Sequence, residues 1–85
     1  MKIEILKTGN LDIAELTSRE YVINTTEDGS DLVGNLYYYN VERVIIYDHN
    51  LSERFFDLKS GLAGDILQKF SNYRLRLAIV GDFSS

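Results

Sequence analysis

The chain predicts an α/β fold in two layers: a mixed sheet that opens with a hairpin, followed by helix, strand, helix and strand, with the helices packed on the sheet. Three observations carry this. Lys2 to Lys7 alternates polar and apolar residues, placing Ile3 and Ile5 on one face of a strand. Arg43 to Asp48 and Leu75 to Val80 are short apolar runs of the kind that form buried strands. Between them, Leu62, Ala63, Ile66, Leu67 and Phe70 recur with the spacing of one helical face. A strand, helix, strand unit of this kind pairs its strands in parallel through a right-handed crossover.

The remaining elements follow in order. Leu11 to Leu16 continues the alternation after Thr8-Gly9-Asn10, and Gly and Asn tolerate the positive φ that hairpin turns need. Glu20 to Asn24, with Tyr21, Val22 and Ile23, is a third short strand or an extended lead into the next element. Thr25-Thr26-Glu27-Asp28 opens a helix, since a Thr oxygen accepts orphan amides and acids favour the positive end of the helix dipole. That helix is expected to reach about Tyr39, turning Leu32, Val33, Leu36 and Tyr37 inward, with Gly29 and Gly34 weakening it locally. Val44 to Tyr47 is expected to be buried on both sides, and Asp48-His49-Asn50 to end it in a solvated turn. One helical turn at Ser52 to Phe56 precedes the second long helix, which is expected to start near Ser60.

Composition narrows the function classes. Eighty-five residues make one small domain, and such a domain buries only about 60 to 65% of the surface its unfolded chain exposes. The absence of Cys removes disulfides, thiolate metal sites and a cysteine nucleophile together. Residues 1 to 50 carry 4 basic against 9 acidic side chains, or −5, and residues 51 to 85 carry 5 against 4, or +1. An acidic chain with no dense run of Lys and Arg lacks the electrostatic footprint of a nucleic-acid binder. Glu4 and Asp12 interrupt the region where a signal peptide needs an apolar run, and no stretch approaches a membrane span. These features predict a soluble, cytoplasmic protein.

The residues with chemical potential are few. Ser60, flanked by Asp57 and Lys59 and followed by Gly61, stands at a helix start, where its oxygen can accept a backbone amide or, phosphorylated, place negative charge beside the dipole. Gly61 and Gly64 admit close approach of another surface. Tyr37, Tyr38 and Tyr39 point about 100° apart on a helix, so they cannot all be buried, and Tyr38 and Tyr39 are candidates for an interface. Leu75, Leu77 and Ile79 are expected on a strand with no later strand to cover its far edge, which either a second copy or a partner strand fills or solvent and Gly81 to Ser85 cover. His49, beside Asp48, is the single His; no nucleophile, base and orienter converge. Glu27, Asp28 and Asp31 lack EF-hand spacing, and no Walker or dinucleotide glycine motif occurs, so neither a metal nor a cofactor is expected.

Asp57-Leu58-Lys59-Ser60-Gly61-Leu62, between a strand and an amphipathic helix, resembles the region of STAS domains, the anti-sigma factor antagonists, in which an Asp-Ser-Ser-Gly-Leu motif opens a helix and its last Ser is phosphorylated. Here Lys59 stands in place of the first Ser and Asp57 lies one residue further from Ser60. A closer resemblance is to an uncharacterised bacterial family, domain of unknown function 4180, itself STAS-like. It is carried by Ile13 to Leu16, Gly34 to Tyr38, Val44 to Tyr47, Phe55 to Gly64, Gln68 to Arg74 and Leu77 to Ser84. The resemblance implies a single STAS-like domain over residues 1 to 85. It also implies a chain that is truncated or naturally short, because family members usually continue with another helix, strand and helix.

The functional expectation is a non-catalytic regulatory or protein-binding module, acting through Asp57 to Gly64 or as a homodimer. The alternative is a small-ligand sensor that takes an anionic metabolite or nucleotide in the crevice at the carboxyl ends of the parallel strands, at Tyr47 to Asn50, Phe55 to Gly64 and Gly81 to Phe83.

Overall fold

The computed structural model describes residues 2–9 and 11–81; Asn10 of the expected turn and the segment from residue 82 onward lie outside them. The element order is β1 (Lys2–Thr8), β2 (Leu11–Thr17), α1 (Thr26–Tyr37), β3 (Arg43–Tyr47), a short helical turn α2 (Glu53–Phe56), α3 (Leu62–Asn72) and β4 (Arg76–Val80). The strands form one sheet in the order β1-β2-β3-β4. β1 and β2 are antiparallel, pairing Ile3 with Leu16 and Ile5 with Ala14. β2, β3 and β4 are parallel, with Ala14 beside Val44 and Val44 beside Leu77.

This register places Ile3, Ile5, Ala14, Leu16, Val44, Ile46, Leu77 and Ile79 on one face, and α1 and α3 cover that face. Leu16, Ile46, Leu36, Ile66 and Phe70 are at most 1% exposed, and each such side chain contributes about 1.5 to 3 kcal/mol through its removal from water. Helix α1 begins as expected, with a capping box: Thr25 Oγ1 accepts the Asp28 amide at 3.2 Å while Asp28 Oδ2 accepts the Thr25 amide at 3.0 Å.

Several expectations are corrected. Because both long helices lie on one side, the other face of the sheet has no helix over it among the described residues: Ile45 and Tyr47 are half-buried, and Ala78 and Val80 are exposed, so neither β3 nor β4 is buried on both sides. Helix α1 stops at Tyr37 rather than Tyr39, and Tyr37 does not face the core. It falls on the flank of the stripe formed by Gly29, Leu32, Val33 and Leu36, turns its ring toward Tyr73 and is 70% exposed. Helix α3 starts at Leu62, because Gly61 adopts φ +72° and breaks the helical path from Ser60; Leu67, on its outer flank, is half-exposed. The segment Glu20 to Asn24 is an extended lead with a single parallel bridge between Ile23 and Leu51.

The two helices meet at Gly29, where a Cβ would collide with the Ile66 side chain. Gly29→Ala is expected to destabilise the fold by about 1 to 3 kcal/mol, although alanine is the better helix former by about 1 kcal/mol. Urea denaturation of the two proteins measures the difference.

Candidate functional site

The turn that carries Ser60 is closed by its own side chains. The chain leaves α2 at Phe56 and makes a 3-10 turn over Leu58–Ser60 before Gly61 redirects it into α3. Asp57 Oδ1 accepts the Lys59 amide at 3.0 Å, and the Ser60 amide donates to the Asp57 carbonyl at 3.0 Å. The Ser60 hydroxyl reaches the carbonyls of Arg54 and Asp57, the latter at 2.8 Å, and accepts the Leu62 amide at 3.2 Å. Ser60 thus satisfies an orphan amide at the helix start, as its residue type suggests, and also fastens the end of α2 to the start of α3. Around it Asp57, Leu58, Lys59 and Gly61 are exposed, Leu58 to 95%. A Cβ at Gly64 would meet nothing within 4 Å, so internal packing places no demand on that glycine.

At the carboxyl ends of the parallel strands, the Asp48 carboxylate presses on the Gly81 backbone so closely that a Cβ at Gly81 would overlap it. An acid therefore occupies part of the crevice considered for an anion. Residues 82 and 83 of that crevice lie outside the described residues. His49 is exposed, stacks on Tyr47 at 6.0 Å between ring centroids, and holds Nδ1 3.8 Å from Asp48 Oδ1, longer than a hydrogen bond. Tyr47 donates its hydroxyl to Glu15 Oε2 on the uncovered face. That hydrogen bond first, then burial and the carboxylate charge, hold the phenol above its ordinary pKa. Among the described residues no three His, Asp or Glu side chains gather as metal ligands, and no helix is long and apolar enough to cross a membrane.

Asn50 was expected in a solvated turn, yet its side chain is fully buried. Its Nδ2 donates to the Ser18 and Glu20 carbonyls at 2.7 and 2.8 Å. The signal for this was weak: a polar residue after a strand reads the same whether it faces water or another segment.

A second surface gathers the tyrosines. Tyr37 stands edge-on to Tyr38 and to Tyr73, with centroid distances of 6.4 and 6.3 Å, and the three are 70, 87 and 56% exposed. With Gly34 they line an open depression of about 390 Å³. A Cβ at Gly34 would meet nothing within 4 Å. Tyr39 is 46% exposed. Sequence reading singled out Tyr38 and Tyr39 but missed Tyr73 and Gly34, because α3 brings Tyr73 to α1 only through tertiary packing.

The interface candidates on β4 divide. Leu75, just ahead of the strand, is 7% exposed and part of the core, while Leu77 and Ile79 are half-buried at the outermost strand of the sheet.

These features define a small α/β domain of two layers whose distinguishing groups are on surfaces rather than in an enclosed cavity. The model of the family described as Domain of unknown function (DUF4180) matches residues 8–85, and the chain belongs to that family. No curated protein and no solved structure matches it.

Ser60→Ala is expected to lower stability by about 0.5 to 2 kcal/mol through loss of the cap, whereas Lys59→Ala, fully on the surface, is expected to stay within about 0.5 kcal/mol of the parent. Chemical denaturation of both variants checks this.

Proposed function

We propose that this chain is a non-catalytic, STAS-like module of the bacterial cytoplasm that acts by binding another protein. The observation that carries the reading is Gly34. Glycine within an exposed helix costs about 1 kcal/mol relative to alanine, and nothing in the fold requires it here. It lines the open depression together with Tyr37, Tyr38 and Tyr73. Exposed tyrosines supply large amphipathic contact area at low entropic cost, and a missing side chain between them lets a partner's backbone approach closely. Asp57 to Gly64 forms a second contact face, where Leu58 stands clear of the fold and Gly64 again opens onto solvent. Ser60 is its regulatory position, because a phosphate there would remove the hydroxyl donor that closes the turn onto Arg54 and Asp57.

A homodimer through β4 is the second reading, favoured by the state of that edge. The Arg76 amide donates to Glu42 O at 2.9 Å, so strand alternation sends the backbone groups of Leu77 and Ile79 outward. β4 carries one charge, Arg76 at its start, and no proline or glycine to discourage pairing, whereas β1, at the opposite edge, carries Lys2, Glu4 and Lys7. An antiparallel pair centred on Ala78 would set Leu77 against Ile79 of the second copy and bring the two small Ala78 side chains together.

Two experiments test these readings. Gly34→Ala is expected to raise stability by about 0.5 to 1 kcal/mol while abolishing retention of the partner that the parent chain captures from its native host; a variant that retains the partner removes this surface from the proposal. Sedimentation of the parent chain at micromolar concentration is expected to give a dimer, and Ala78→Lys a monomer. A monomeric parent excludes the dimer alone.

A further inference from the structure

The register of β3 and β4 places Arg43 directly beside Arg76. Neighbouring strands lie about 4.8 Å apart, and like charges so placed repel. A third arginine, Arg74, joins them in an open depression of about 690 Å³ at the amino ends of these strands, lined also by Glu42, Ser71 and Leu75. The lining carries three positive charges and one negative, a balance of +2 in a chain whose net charge is −4. Carboxylates are in excess in this protein, yet among the described residues none of these guanidiniums forms an ion pair.

The backbone at Arg74 adds an independent sign. Helix α3 ends in a Schellman motif: the Arg74 amide donates to Ser71 O at 3.0 Å, the Leu75 amide donates to Phe70 O at 2.8 Å, and Leu75 and Phe70 are both core residues. The position held by Arg74 in such a motif ordinarily belongs to glycine, because it needs a left-handed conformation; Arg74 takes it at φ +59°. A long cationic side chain is held at a strained position that points to a role beyond ending the helix.

The geometry points to a binding site for the phosphate monoester group of a small metabolite, formed by Arg43, Arg74 and Arg76. A carboxylate has only two oxygens to share among three guanidinium forks, whereas a phosphate monoester presents three terminal oxygens in a tetrahedron, one for each. The single patch on an acidic chain does not extend into the basic track that a nucleic-acid backbone requires. Its arginines are not part of the tyrosine face or of the Ser60 turn, and the variants that test it change none of those residues.

The experiment is a titration of the isotopically labelled full chain, followed by amide chemical shifts, with inorganic phosphate, glycerol 3-phosphate, acetate, an acidic peptide and a short single-stranded RNA. Saturable shifts confined to residues 42 and 43 and 71 to 76 are expected with both phosphates, and binding at least about tenfold weaker with acetate. Arg43→Lys, which keeps the charge but loses the fork, is expected to weaken phosphate binding about tenfold. Arg74→Gly is expected to melt at the same or a higher temperature than the parent and to lose phosphate binding, which separates the site from mere folding. Absence of saturation with either phosphate, unchanged binding in Arg74→Gly, or binding confined to the peptide or the RNA would overturn the assignment.

Discussion

The junction of the stretch after β2, the loop after β3 and the start of α2 depends on the buried amide of Asn50. Its two N–H groups hold the carbonyls of Ser18 and Glu20, the stretch that follows β2, while its own backbone carbonyl accepts the Val22 amide at 2.7 Å. The same loop then takes Ile23 alongside Leu51, and the Ser52 amide donates back to Ile23 O at 3.1 Å. These bonds bring the end of β2, the loop after β3 and the start of α2 to one place, and the capping box of α1 begins two residues beyond Ile23. A carboxylate in the same position would set its oxygens against two carbonyls with no proton to offer, so the amide is a chemical requirement and not a matter of size. The buried Oδ1 of Asn50 and the hydroxyl of Ser52 have no hydrogen-bond partner among the described residues, which makes this junction the most polar part of an otherwise apolar interior.

Elements with strong internal periodicity were legible in the sequence. The hairpin and α3 repeat apolar residues with one period, β3 and β4 are short apolar runs bounded by polar residues, and the order of elements follows from them. What was not legible depends on juxtaposition. Arg43 and Arg76 are 33 residues apart and become neighbours only through the parallel register. Tyr73 meets Tyr37 only because α1 and α3 pack side by side. The two-sided burial expected for β3 failed for a related reason: its run of β-branched residues records one covered face and one half-covered face, and nothing in the run itself distinguishes this from two covered faces. At the Ser60 turn the residue types were informative but the boundary was not, since the left-handed Gly61 delays the helix by two residues relative to its first polar cap.

Apart from Asn40, a residue type that tolerates its left-handed φ of +54°, three positions depart from what the local backbone favours: Gly34 and Gly64 in solvent-facing stretches of helix, and Arg74 in a left-handed conformation. Sequences agree with their folds across levels, and disagreements gather where something other than folding is being served. All three lie on the outside of the domain, away from the Asn50 junction and from the packed contact of Gly29 with Ile66. The interior is thus arranged for one compact state, and the exceptions lie on surfaces that face solvent.

The order of the strands has a kinetic meaning as well. Each strand hydrogen-bonds to the one immediately before it in the chain, so the sheet is extended at one rim in the direction of synthesis. No described strand has to be inserted between two that are already paired, as it must in sheets whose central strand comes late. The hairpin closes a tight turn, while each parallel pairing closes a whole crossover, residues 18–42 or 48–75, so the antiparallel pair carries the smaller closure cost and the faster rate. A domain with this connectivity can assemble as it is made, with β4 added to a surface that is already in place.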